Sequence, residues 1–134
     1  SSVVISQCEL RFNQGAVHFT DSNVMLDRNY IYNNIIGLRM WNSKPIITLN
    51  TITENQTGIF CAEGIESIFI QKNNIYQNSG YNITLGESQK KDIDALNNYW
   101  GSGNFQDIEK KIYDKSDSEY IGKVVYSPFL MEKL

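Results

Sequence analysis

Apolar and polar residues alternate along this chain in short bursts, and the bursts recur. One set falls at Leu26, Ile47 and Ile70, each three residues before an Asn, and another at Ile31, Ile52, Ile75 and Tyr99, each two residues after one. The Asn residues concerned, Asn29, Asn50, Asn73 and Asn97, lie 21, 23 and 24 residues apart. Carried backwards, the register puts Cys8 in the Asn position, flanked by Ile5 and Leu10. Later in each repeat comes a small residue, Ala16, Gly37, Gly58 or Gly80. It is followed by an alternating apolar pair: Val17 and Phe19, Leu38 and Met40, Ile59 and Cys61, Tyr81 and Ile83. Alternation of this kind is the strand period. Each repeat therefore offers two short strands separated by turn residues such as Asn34, Asn55 and Asn78. The expectation is a chain that stacks on itself in about five coils, the fifth degenerate.

A leucine-rich repeat has a similar length, but it needs a Leu-rich consensus and a helical segment in every repeat. These repeats are rich in Ile, Asn and Tyr and carry no helical period. The pattern fits a parallel β-helix, in which strands of successive coils stack at ~4.8 Å. Inward side chains then form columns, and an Asn column satisfies itself because each amide both donates and accepts. Asn29, Asn50, Asn73 and Asn97 are the expected ladder.

The last third of the chain reads differently. Asn104 is the expected N-cap of a helix from about Phe105 to Asp114, with Phe105, Ile108, Ile112 and Tyr113 on one face. A polar loop, Ser116-Asp117-Ser118-Glu119, and a strand, Val124-Val125-Tyr126, stopped by Pro128, complete it. The expected arrangement is coils over 1–103 and a cap over 104–134 within the same domain, the cap shielding the unpaired edges of the last coil.

The run Asn97-Asn98-Tyr99-Trp100-Gly101, the short helical segment and the closing Ser127-Pro128-Phe129-Leu130 resemble the end of right-handed parallel β-helix proteins. That resemblance covers nearly the whole chain and implies an all-β solenoid. The superfamily includes polysaccharide lyases, glycosidases, uronate epimerases, periplasmic proteins linked to copper-enzyme maturation, adhesins and structural modules, so the resemblance does not select an activity. An extracellular or periplasmic location is expected.

Charge and cysteine content narrow the picture. Net charge is −3 with scattered basic residues, which argues against a nucleic-acid surface. No apolar run approaches the roughly 18 residues that span a bilayer. Cys8 and Cys61 occupy different columns two coils apart, so stacking alone holds them ~9.6 Å from each other. A disulfide needs Cα atoms within about 7 Å, and both are expected to be small buried hydrophobes. The chain opens in repeat register with no cap pattern. Upstream coils of the same polypeptide, or another chain, are therefore expected over the first coil, the former being preferred.

Candidate chemistry lies on the outward columns. These are expected to be Glu9, Tyr30, Thr51 and Asn74; Arg11, Tyr32, Thr53 and Tyr76; His18, Arg39, Phe60 and Asn82; and Thr20, Trp41, Ala62 and Thr84. Aromatic rings stack on sugars and Arg pairs with a uronate carboxylate, so Arg11, Tyr32, Arg39, Trp41 and Tyr76 are the candidate ligand-binding residues. The same residues also fit cross-strand pairs that stiffen a sheet. A glycosidase needs two carboxylates about 5 to 9.5 Å apart. Asp21, Asp27, Glu54, Glu63 and Glu66 do not fall in neighbouring positions of one column. Asp92 and Asp94, which alternate on one strand, and Asp107, Asp114 and Asp117 in the cap are joined by no Arg or Lys in a catalytic arrangement. No catalytic residue, metal site or cofactor is assigned, since Met25, Met40, Met131, Cys8, Cys61 and His18 show no ligand spacing. The expected function is a rigid binding or structural module for a polysaccharide or protein. The alternative is the C-terminal portion of a carbohydrate-active enzyme whose site lies upstream. Asn55-Gln56-Thr57 and Asn82-Ile83-Thr84 match the glycosylation acceptor pattern, with both Asn residues expected to be accessible.

Overall fold

The chain bends three times per coil, and most bends use one device. A residue in the left-handed region is followed by a polar side chain directed into the stack. At the first corner the left-handed residues are Gln7, Arg28, Leu49, Lys72 and Asn97, with φ between 55° and 60°. At the second they are Phe12, Asn33, Glu54 and Gln77, and at the third Asp21, Asn42 and Gly64. Such a conformation costs a non-glycine residue roughly 1–2 kcal/mol, so something must hold it at each corner. The inward hydrogen bonds do so.

The computed structural model describes residues 2–66 and 69–134; Ser1, which heads the opening run, lies outside them. Coil one holds β1 (Ser2–Ser6), β2 (Glu9–Arg11) and β3 (Gly15–Thr20). Coil two holds β4 (Asn23–Asp27), β5 (Tyr30–Tyr32) and β6 (Ile36–Trp41), and coil three β7 (Ile46–Thr48), β8 (Thr51–Thr53) and β9 (Thr57–Glu63). Coil four holds β10 (Phe69–Gln71), β11 (Asn74–Tyr76) and β12 (Tyr81–Ser88). After it come β13 (Ile93–Asp94), α1 (Phe105–Glu109), β14 (Ile112–Tyr113) and β15 (Val124–Val125). Strands stack in parallel into three faces: β1-β4-β7-β10, β2-β5-β8-β11 and β3-β6-β9-β12-β14. There are thus four complete coils, not five. The fifth is reduced to β13, paired with β15, and to Tyr99, which bridges Asn74 on one side and Leu130 on the other.

The inward columns follow the alternation: Ile5-Leu26-Ile47-Ile70 on the first face, Leu10-Ile31-Ile52-Ile75 on the second, and Val17-Leu38-Ile59-Ile83-Ile112 on the third. From coil two onward these residues are buried, most of them completely, each contributing about 1.5–3 kcal/mol. Met40 and Cys61 are partners in a further core column.

Two Asn ladders run down the stack. In the first, Asn29 donates to Asn50 Oδ1 from its main-chain N (2.9 Å) and its Nδ2 (3.0 Å). Asn50 does the same to Asn73, and Asn73 to Asn98. The second, Asn13-Asn34-Asn55-Asn78, repeats the geometry at the next corner and ends where Asn78 donates to Asn82 Oδ1. The third corner is plainer. Ser22 N donates to Ser43 Oγ at 3.2 Å, and lower down Gln89 brackets the main chain of Ile65.

Several expectations need correcting, each for a local reason. The last ladder residue is Asn98. Asn97 is the left-handed bend residue that must precede it, so the inward position two further on belongs to Trp100 and not Tyr99. A slip of one residue exchanges the two faces of a strand. Asn78 and Asn82 are one residue further apart than Asn55 and Gly58. Tyr81 therefore pairs with Thr57, and Asn82, not Gly80, lies beside Gly58. Asn82 is buried against Asn78, and Asn55 is a ladder member, so neither glycosylation pattern presents an accessible amide.

The expected ten-residue helix is a single turn. Asn104 caps it, accepting from Gln106 N and Asp107 N. Beyond Glu109 the open edge of β12 captures the chain. Asn82 N donates to Lys111 O at 2.7 Å, Ile112 and Tyr113 pair with Ile83 and Thr84, and Lys111 Nζ reaches the carbonyls of Asn78, Ser79 and Gly80. Unpaired strand edges outcompete a further turn or so of helix. Both cysteines are free, but Cys8 is exposed because no described coil lies above it. Burial pushes the Cys61 thiol up to about 12. A thiol reagent at pH 8 is therefore expected to label Cys8 within minutes and Cys61 only on unfolding. Two fast equivalents from the folded protein would contradict this burial.

Candidate functional site

On the second face the outward columns are as the alternation predicts: Glu9-Tyr30-Thr51-Asn74 and Arg11-Tyr32-Thr53-Tyr76. The charged and phenolic groups of Glu9, Arg11 and Tyr32, however, already engage one another. Arg11 Nη1 donates to Tyr32 Oη at 3.2 Å and its Nε lies 3.4 Å from Glu9 Oε1. The Tyr32 hydroxyl donates in turn to Glu9, and that carboxylate raises Tyr32 above the usual phenol range. The Tyr30 and Tyr32 rings lie 4.2 Å apart. An open depression of about 450 Å³ runs beside them, lined by Cys8, Arg28, Tyr30, Leu49 and Thr51 among others. At the lower end of this face Tyr76 is half-buried, with Tyr99 5.7 Å away and Lys133 over its ring. The chain terminus lies over the same strand, Leu134 N donating to Asn74 Oδ1.

The third face is different. His18, Arg39, Phe60 and Thr84 form one outward column, with Thr84 where Asn82 was expected. Trp41 follows Thr20 in the next column and pairs with Glu63, because a bulge displaces Ala62. The Arg39 guanidinium lies 4.8 Å from the Trp41 ring centre and 5.2 Å from that of Phe60. His18 meets Trp41 edge-on at 6.1 Å. Arg39 Nε is buried and has no acceptor. Arg11 and Arg28 each pair with a carboxylate, Glu9 and Asp27, whereas Arg39 forms no ion pair among the described residues. Two aromatic rings thus fix a cation that has no counter-charge, and ring contacts of this kind are worth about 0.5–2 kcal/mol. Beside it is an open depression of about 400 Å³ lined by Val3, His18, Phe19, Thr20, Ser22 and Trp41.

The structure therefore divides the five candidates. Arg11, Tyr32 and Tyr76 share the second face, where partners occupy them, and Arg39 and Trp41 share the third. Phe60 completes the third-face cluster. Its signal was its place in the column of His18 and Arg39, which a search for single exposed aromatics passes over. Among the described residues no cluster of His, Cys, Asp and Glu could hold a metal ion.

Three parallel faces and inward Asn ladders define a β-solenoid, with the aromatic–arginine cluster on the outside of one face. The family model of the right-handed β-helix region matches residues 1–104, and the chain belongs to that family. Comparison with curated proteins and with solved structures gave no match.

Proposed function

We propose that this protein is a rigid β-helix module whose third face binds carbohydrate, with a sugar ring laid on Trp41 and a polar or acidic substituent held by Arg39. The observation that carries this reading is the Arg39 guanidinium, fixed between Trp41 and Phe60 and forming no ion pair among the described residues. An aromatic platform beside a planar double donor suits a sugar acid. The solenoid supplies rigidity, since every strand of the face is hydrogen-bonded into the stack. An extracellular or periplasmic setting, where polysaccharides are met, goes with this reading. Titration with uronate-containing and neutral oligosaccharides, followed by calorimetry, tests it. Trp41→Ala is expected to weaken binding about tenfold, as the loss of one stacking contact of ~1.4 kcal/mol does. Binding that is unaffected by both Trp41→Ala and Arg39→Gln would remove the third face from consideration.

The first coil supports a further part of the same proposal. Ile5, Leu10, Val17 and Phe19 are only half-buried, whereas Leu26, Ile31, Leu38 and Met40 below them are completely so. Asn13 donates to the ladder with no donor described above it. That end fits another coil of the same register, from upstream in the same polypeptide or from another chain, and an upstream coil is where a carbohydrate-active site would sit. Residues 104–134 act as the cap of the opposite end. The intact mass of the native product separates these cases: a value well above 15.4 kDa supports upstream coils, and one of 15.4 kDa supports a separate partner.

A further inference from the structure

The strands of the first face are apolar on both sides. Their inward residues build the core, and the outward column Val4-Met25-Ile46-Phe69 is apolar in every coil. These four side chains remain 67%, 40%, 41% and 42% exposed. Parallel strands that read as apolar on both sides belong to sheets covered on both sides, so this face lacks a layer.

The flanking columns indicate what that layer is. Ser2, Asn23 and Lys44 lie along one side of the stripe, and Ser6, Asp27, Thr48 and Gln71 along the other. A two-fold axis parallel to the solenoid lays the stripe on its own copy and exchanges the flanks. Ser2 then faces Ser6, the Asn23 amide faces the Asp27 carboxylate, and the Lys44 ammonium faces the Thr48 hydroxyl. Donors on one side meet acceptors on the other. Asp27 suits this role, because the bonds from Ser6 and Arg28 both fall on its Oδ2 and leave Oδ1 open. We propose that the first face is a homodimer interface, closed by this two-fold axis, with two sheets facing each other at ~10 Å across a dry seam of Val4, Met25, Ile46 and Phe69. Four strands at ~4.8 Å and about five residues at ~3.3 Å give a footprint on the order of 300 Å². This is well under the ~800 Å² per partner of a standard interface, so the dimer is a weak one, forming at roughly 0.1 mM.

Sedimentation equilibrium between about 5 and 500 µM tests it. The weight-average mass is expected to rise from 15.4 kDa towards twice that value. Met25→Lys, at an exposed position, should hold it at 15.4 kDa with an unchanged thermal melt. Exchanging the flank chemistry with Asn23→Asp and Asp27→Asn together should preserve the dimer, while Asp27→Asn alone should weaken it several-fold. A mass that stays monomeric at the highest concentration, or that climbs past the dimer, overturns the proposal. So does a dimer that survives Met25→Lys. Because the stripe and the Arg39 cluster lie on different faces, the glycan titration and the sedimentation result fail independently.

Discussion

Replacing Asn50 with Leu is expected to cost on the order of 3–5 kcal/mol of unfolding free energy. The two side chains branch alike and Leu is the larger, so the substitution opens no cavity and the loss reports hydrogen bonds together with some crowding. Asn50 is completely buried. Its Nδ2 donates to Leu26 O at 2.8 Å, to Thr48 O at 3.1 Å and to Asn73 Oδ1 at 3.1 Å, while its Oδ1 accepts from both nitrogens of Asn29. Leu in its place strands the Asn29 main-chain N–H, an orphan worth about 1–3 kcal/mol, and takes one donor each from the Leu26 and Thr48 carbonyls at roughly 0.5–1.5 kcal/mol per bond. Urea unfolding followed by circular dichroism measures the loss. Ile52→Val, one methylene in the same coil, serves as the packing control at about 0.5–1.5 kcal/mol. If the two variants melt alike, the ladder is ornamental and the apolar columns alone hold the stack.

Gly58→Ala should be nearly as damaging, for a steric reason. A Cβ at Gly58 would lie 2.6 Å from the Asn82 carbonyl oxygen and 3.0 Å from Asn78 Nδ2. The obstacle is the main chain of the next coil, which cannot give way without widening the coil spacing and lengthening the ladder bonds beside it. A cost of roughly 2–4 kcal/mol follows. At Gly103 a Cβ would meet the end of the flexible Met131 side chain, so Gly103→Ala should fall within about 0.5 kcal/mol of the parent. Equal losses at the two sites would mean that coil spacing does not limit packing at Gly58.

These two positions also show how far the fold was legible in the sequence. Apolar alternation and the repeating Asn placed the inward columns, because both are properties of single side chains in register. Legibility failed where two residues competed for one role. In Asn97-Asn98 either residue type fills a left-handed bend or a ladder, and the choice depends on the bend residue coming first. The second ladder was visible as a regular recurrence of Asn34, Asn55 and Asn78. In the sequence it reads as turn chemistry, because Asn serves both ends. The overlong helix had a capping signal and an apolar face, but no local pattern records the open edge of β12 waiting for Ile112. At the candidate site, residue type marked Arg11 and Arg39 equally. Only the positions of Glu9, Trp41 and Phe60 separate a satisfied guanidinium from one left without a counter-charge.

The plain third corner bears on how such a molecule acquires new specificity. Both Asn ladders lie at the other two corners and fix the stack without it, while this corner is held by Ser22 and Ser43 and, lower down, by a reach from Gln89. Loop length there is nearly decoupled from the integrity of the scaffold. The same corner closes the face that carries Trp41. Segments inserted after Asn42 or Gly64 would therefore grow beside the aromatic–arginine cluster, remodelling what it grips while the lattice beneath remains as it is.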